Sequence, residues 1–141
     1  MLRHSLLLAA FAVAFAGTAN AAMEKFHATL TAGAEVPRSQ STGSGEANAT
    51  LDTTTHELTY DVTFSGFSSA VVAAHIHGPA AAGKNAGVVV PLGRAPKSPI
   101  HGTAKLTPEQ EHQLASGLMY VNVHTKNNPS GAIRGQLEAV K

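Results

Sequence analysis

The chain has no cysteine and no tryptophan in its 141 residues, and only 5% of it is aromatic and 13% charged. The missing thiols exclude disulfide staples, iron–sulfur clusters, thiolate zinc sites and a cysteine nucleophile. They also exclude a blue-copper centre, which needs a cysteine ligand. The charge is sparse and nearly balanced, 10 Lys and Arg against 9 Asp and Glu, so nothing resembles the basic surface that nucleic acid binding requires. No Gly-x-Ser-x-Gly elbow is present, which removes the usual signature of a nucleophilic serine hydrolase. No apolar run is long enough to span a bilayer: Leu6 to Ala16 falls well short of the roughly 20 residues needed.

That short run reads instead as the centre of a secretory signal peptide. Arg3 supplies the positive n-region, and Ala19-Asn20-Ala21 fits the small-x-small pattern that a signal peptidase binds in extended form. Cleavage is expected after Ala21, giving a leader of residues 1–21 and a mature domain of residues 22–141. The alternative is an anchor that stays attached, but no stop-transfer cluster comes after it, since the next basic residue is the isolated Lys25. The expected location is therefore the periplasm or the medium, with no membrane attachment after cleavage. The mature chain, about 120 residues, suits one domain with one core. Loss of Arg3 leaves its acids and bases in balance, and without disulfides its stability must come from the core.

What the sequence does contain is period-two alternation, interrupted at short intervals by turn residues. In Glu57 to Phe64, Leu58, Tyr60, Val62 and Phe64 share one face while Thr59, Asp61 and Thr63 share the other. Further strands read at Phe26–Leu30, Glu46–Leu51, Val71–His77, Gly87–Val90, Ile100–Leu106, Leu118–Thr125 and Ala132–Val140. The expected fold is all-β, an antiparallel β-sandwich or Greek-key-like barrel of about eight strands. One short helix is expected at about 107–116. Thr107 serves as its N-cap, Pro108 as its first residue, Gln110 completes a capping box, and Gly117 ends it. Pro37–Gly45, Gly78–Gly87 and Pro91–Pro99 read as long loops.

Histidine is the residue type with the most chemistry to offer. His75 and His77 flank Ile76 on a strand, so both imidazoles leave the same face with Cα atoms about 6.5 to 7 Å apart. That spacing lets two rings converge on one ion at the roughly 2.0 Å bond of a nitrogen ligand. A third ligand must come from another strand, and His124 is the candidate. Met119, Val121 and Val123 alternate with Tyr120, Asn122 and His124, and on the next strand Ile133 and Leu137 stand opposite Arg134 and Gln136. If both apolar sets face one core, Tyr120, Asn122, His124, Arg134 and Gln136 share a surface, with the register left open. The alternative for a His-x-His pair is two solvated rings, or rings hydrogen-bonded to backbone carbonyls. With no thiolate and no acid-rich calcium site, a three-imidazole set points to copper, first on the Irving–Williams order, with zinc second. His27, His56, His101 and His112 read as surface residues.

Four segments then carry a resemblance: Leu30-Thr31-Ala32-Gly33-Ala34-Glu35-Val36-Pro37, His75-Ile76-His77-Gly78-Pro79-Ala80, Tyr120-Val121-Asn122-Val123-His124-Thr125, and Pro129-Ser130-Gly131-Ala132-Ile133-Arg134-Gly135-Gln136-Leu137. In this order they make the sequence resemble the CHRD domain family, named after the repeats of chordin and found also in small exported bacterial proteins. The resemblance spans nearly all of residues 22–141. It departs at Ala132, where the family pattern usually has Glu, and at Arg38, where a second proline often follows Pro37. The family implies a β-sandwich and little biochemistry. It places Glu35, Asn122, Arg134 and Gln136, together with the three histidines, inside the motifs that define the family, and Glu35, Asn122 and Arg134 are the expected second layer around a metal. Glu35 would ligate the metal or pair with Arg134, or alternatively cap backbone amides before Pro37.

Three functions are consistent with this reading. The first is an exported copper-binding protein for storage, delivery or detoxification, with His75, His77 and His124 as ligands. The second is an oxidoreductase like the copper-dependent superoxide dismutases, with Arg134 attracting the anion, although the second, zinc-binding ligand set of those enzymes is missing. The third is a metal-free interaction module presenting the loops Gly78–Gly87 and Pro91–Pro99 to an unidentified protein partner.

Overall fold

In a computed structural model describing residues 22–141, the chain forms nine strands and one helix. The leader expected at residues 1–21 lies outside the described residues. The strands are β1 (Met23–Leu30), β2 (Ser44–Asp52), β3 (Glu57–Ser65), β4 (Val71–His77), β5 (Val88–Arg94), β6 (Ile100–Lys105), β7 (Tyr120–Thr125), β8 (Ile133–Gln136) and β9 (Glu138–Ala139), with helix α1 (Pro108–Ala115) between β6 and β7. They make two antiparallel sheets, one ordered β6-β3-β2-β1-β9 and the other β5-β4-β7-β8. The all-β sandwich expected from the alternation is the fold observed.

Strands such as β1 and β2 bury alternate residues against the opposite sheet, which is what a period of two allows. Phe26, Ala28 and Leu30 of β1, Ala47, Ala49 and Leu51 of β2, and Leu58 and Val62 of β3 meet Ala74 and Ile76 of β4, Val121 and Val123 of β7, and Ile133 of β8. Met119, Leu114 and Leu137 complete this core from the connections. Helix α1 begins as its sequence dictates. The Thr107 side chain accepts from the Gln110 N–H and the Gln110 side chain accepts from the Thr107 N–H, while Pro108 fills a position that needs no donor. It ends where Gly117 takes φ +72°, with Leu118 N–H donating to the Gln113 carbonyl and Gly117 N–H to that of Leu114.

Two boundaries differ from the sequence reading. The last expected strand, Ala132–Val140, is two: β8 belongs to the four-stranded sheet and β9 pairs with β1 in the other. The chain crosses between sheets at Leu137, which is buried in the core. The strand expected to stop at Val90 continues to Arg94, through Pro91. A proline is admissible there because β5 is an edge strand and one side of it needs no donor. Register shifts at Ala74/His75 and Ile76/His77 mark bulges along the β4–β5 pair.

Candidate metal centre

The outer face of the four-stranded sheet carries the row expected from parity, and the register is now defined. His77 lies opposite Tyr120, His75 opposite Asn122 and Ala73 opposite His124. On the other side of β7, Tyr120 lies opposite Gln136 and Asn122 opposite Arg134. This face is not an open polar surface. Tyr120, Asn122 and Arg134 are almost wholly buried, because the 78–87 loop folds back over the far end of the row. Arg134 holds that loop: it donates to the carbonyls of Lys84 (2.7 Å) and Ala81 (3.4 Å), to Asn85 Oδ1 (3.0 Å) and to Gln136 Oε1 (3.0 Å). Gln136 in turn donates to the Ala80 and Gly117 carbonyls. The Arg134 guanidinium lies 3.4 Å from the Tyr120 ring centre, and Tyr120 stacks on His77 with ring centres 4.9 Å apart and planes 6° from parallel.

The three histidines meet at the near end of the row. Ligand nitrogens of His75, His77 and His124 all lie within 4.8 Å of one another, and His75 Nδ1 is 3.1 Å from His124 Nε2. A metal bound at about 2.0 to 2.1 Å by three imidazoles needs nitrogens a little over 3 Å apart, so small side-chain rotations close the set.

The protonation of two rings is set by their other partners. His77 Nδ1 lies 3.0 Å from the Ala86 carbonyl and His124 Nδ1 lies 2.9 Å from the Pro129 carbonyl. A carbonyl only accepts, so in both rings Nδ1 carries the hydrogen, and the neutral ring offers its lone pair at Nε2. The Asn122 amide stands between these lone pairs, 2.9 Å from His77 Nε2 and 3.0 Å from His124 Nε2. Two unprotonated nitrogens require donors, so the amide turns its NH₂ group toward them. No carbonyl fixes His75, but its Nδ1 lies 3.1 Å from the unprotonated His124 Nε2 and is the matching donor. Burial, reinforced by the neighbouring His124 and His77, holds His75 below the usual histidine range. Burial and the nearby His77 also lower His124, against the opposing pull of its bond to Pro129. The lowered values favour neutral rings at His75 and His124, the state in which imidazole binds a metal, and an incoming ion would displace the Asn122 amide from the Nε2 lone pairs.

Of the three residues expected around the histidines, only Asn122 touches them. Arg134 spends its donors on the loop. Glu35, held in the 31–38 segment, is only 5% exposed, and its Oε1 has no hydrogen-bond partner. Its carboxyl packs where a side chain on Gly131 would sit. Burial pushes its pKa up to about 7, against the opposing influence of the Arg134 guanidinium and the Val36 N–H. Glu35 therefore neither joins the imidazole cluster nor forms a close ion pair with Arg134. His27, His56 and His101 stand elsewhere on the surface beside Glu46, Glu111 and Asp61, and His112 is exposed on α1.

Sequence reasoning missed two contributors. Asn85 ties the covering loop down from both sides, accepting from Arg134 and donating to the Val36 carbonyl (2.8 Å). Nothing in its local sequence marks it, because both partners are remote. Arg94 falls within a segment that reads as a loop, yet β5 carries it onto the histidine face opposite Ala73.

Residues 26–137 match the sequence profile of the CHRD domain. The chain belongs to the CHRD domain family. In this CHRD domain the four motifs that carry the resemblance are neighbours in space: the segment after β1 bridges to Arg134 through Thr31, and the other three motifs supply β4, β7 and β8. No curated protein and no solved structure matches the chain.

Proposed function

We propose that this CHRD domain is an exported metal-binding protein whose ligands are His75, His77 and His124 and whose metal is copper. The observation that carries the reading is the pair of backbone carbonyls, of Ala86 and Pro129, that hold the hydrogens of His77 and His124 on Nδ1 and so leave Nε2 of each as the ligating atom in a cluster whose ligand nitrogens lie within 4.8 Å of one another. Such carbonyl partners behind the ligating nitrogen are the usual way a metal-binding histidine is oriented. The donor set has no thiolate and no carboxylate, which disfavours calcium and magnesium. Among imidazole-binding metals the Irving–Williams order favours Cu²⁺ over Zn²⁺. Bound there, copper would be held outside the cytoplasm for storage, delivery or detoxification. Export rests on the leader at residues 1–21, and the isolated protein is expected to begin at Ala22.

Metal analysis of protein purified after exposure to equal Cu²⁺ and Zn²⁺ tests this reading. One copper per chain is expected, with loss of binding in His75→Ala and His124→Ala and an EPR spectrum showing nitrogen ligands. A wild-type chain that takes up neither metal would refute it. The dismutase-like alternative relies on Arg134 to attract an anion, and Arg134 is 1% exposed with its donors already engaged. Superoxide consumption by the loaded protein no faster than that of aqueous copper would leave a carrier rather than an enzyme.

A further inference from the structure

The three histidines are not enclosed equally. His77 is covered by Tyr120 and Ala86, and Asn122 lies beneath the cluster. His75 is half-buried and forms part of the wall of a cleft of about 620 Å³ with Val72, Ala73, Pro91, Gly93 and Arg94. The one charged side chain in that wall is Arg94, and it is exposed.

Arg94 reaches this face because β5 is irregular. Along a regular strand it would follow Val90 and Leu92, both buried, into the core. Instead the register steps from His75↔Pro91 to Ala74↔Gly93, leaving Leu92 as an extra residue, and Gly93 adopts φ +123°. A bulge of this kind reverses the parity of the residues beyond it. Arg94 therefore lies opposite Ala73, and Ala73 lies opposite His124 on its other side. The Cα atoms of Arg94 and His124 are two strand spacings apart, about 10 Å, a gap that an arginine side chain and one small anion can span.

Building on the metal reading above, we propose that the cleft beside His75 is an anion site: a small anion enters there, binds the metal at the position the three histidines leave open, and pairs with the Arg94 guanidinium. Three protein ligands leave at least one coordination position, and the cleft is the side on which His75 is uncovered. An always-charged guanidinium on the rim raises the local concentration of anions and forms a charge-assisted hydrogen bond to the one that binds. Arg134, buried under the 78–87 loop, has no such access.

Azide is a suitable probe because its binding to Cu²⁺ is followed by absorbance and EPR. Copper-loaded wild-type protein is expected to bind azide saturably. Arg94→Gln should weaken binding about tenfold while leaving copper content and melting temperature unchanged, and Arg94→Lys should fall between the two. Full copper content with no azide-dependent spectral change would overturn the proposal. So would equal azide affinity in the wild type and Arg94→Gln. A chain that fails to load copper would remove the metal reading itself, and metal content identifies that failure before azide is added.

Discussion

Asn122 and Glu35 are both buried side chains in the family motifs, and their partners give them opposite thermodynamic roles. Asn122 supplies hydrogens to two nitrogen lone pairs, so Asn122→Ala leaves His77 Nε2 without a donor and His124 Nε2 with His75 alone. The metal-free variant should lose about 1 to 3 kcal/mol of stability, measured by urea unfolding. If copper binds as proposed, the variant's gain in melting temperature on adding Cu²⁺ should exceed that of the wild type, because the ion no longer has to displace the Asn122 amide. Glu35 is buried with an unpartnered oxygen, and its folded pKa of about 7 stands above the ordinary value of 4.5. The folded state therefore binds the proton more tightly, and this contribution to stability is complete below pH 4.5 and lost as pH rises through 7. Glu35→Gln should flatten that part of the stability–pH curve, whereas an unchanged slope would mean that Glu35 is ionised when folded. The lowered pKa values of His75 and His124 act in the other direction, removing stability as pH falls below 6.5. The histidines are legible in the sequence because strand parity is a local rule. The environment of Glu35 is not, because it depends on a glycine remote in the chain, Gly131.

At the scale of elements, the alternating pattern identifies the strands of both sheets, and the Thr107–Gln110 capping box identifies α1, because each signal lies within the element it specifies. The features that escape a reading of the sequence lie where two elements meet. Pro91 argues against a strand until β5 is known to be an edge. The division of the last strand is hidden because Ile133 and Leu137 keep one parity across it. Gly135, between them, explains the path: a Cβ there would collide with the Thr29 carbonyl oxygen, so only glycine lets β8 approach β1 this closely. Gly135→Ala should therefore cost about 1 to 3 kcal/mol through overpacking, read as a lower urea midpoint. It should also weaken the Thr31–Arg134 bridge, visible as faster amide exchange at those two residues.

On the scale of the whole molecule, the two sheets are joined at Leu137, which is 1% exposed and donates its N–H to the Met119 carbonyl. A chain ending at Leu137 should fold with a modest loss, since it forfeits the two-residue strand β9 and the Val140 N–H bond to the Lys25 carbonyl, all at the surface. A chain ending at Gln136 should lose the further 2 to 5 kcal/mol or so of a large buried side chain, and a cooperative thermal transition in the first but not the second checks this. The pairing of β4 with β7 also fixes an order of events. His75 and His124 are 49 residues apart in the chain, so an unfolded polypeptide offers an ion only the local pair His75 and His77. The three-imidazole set exists only after these distant strands have docked. On the metal reading proposed above, affinity would be a late product of folding rather than its trigger. On that reading a nascent chain would hold metal ions only weakly and would acquire its selectivity where it completes its fold.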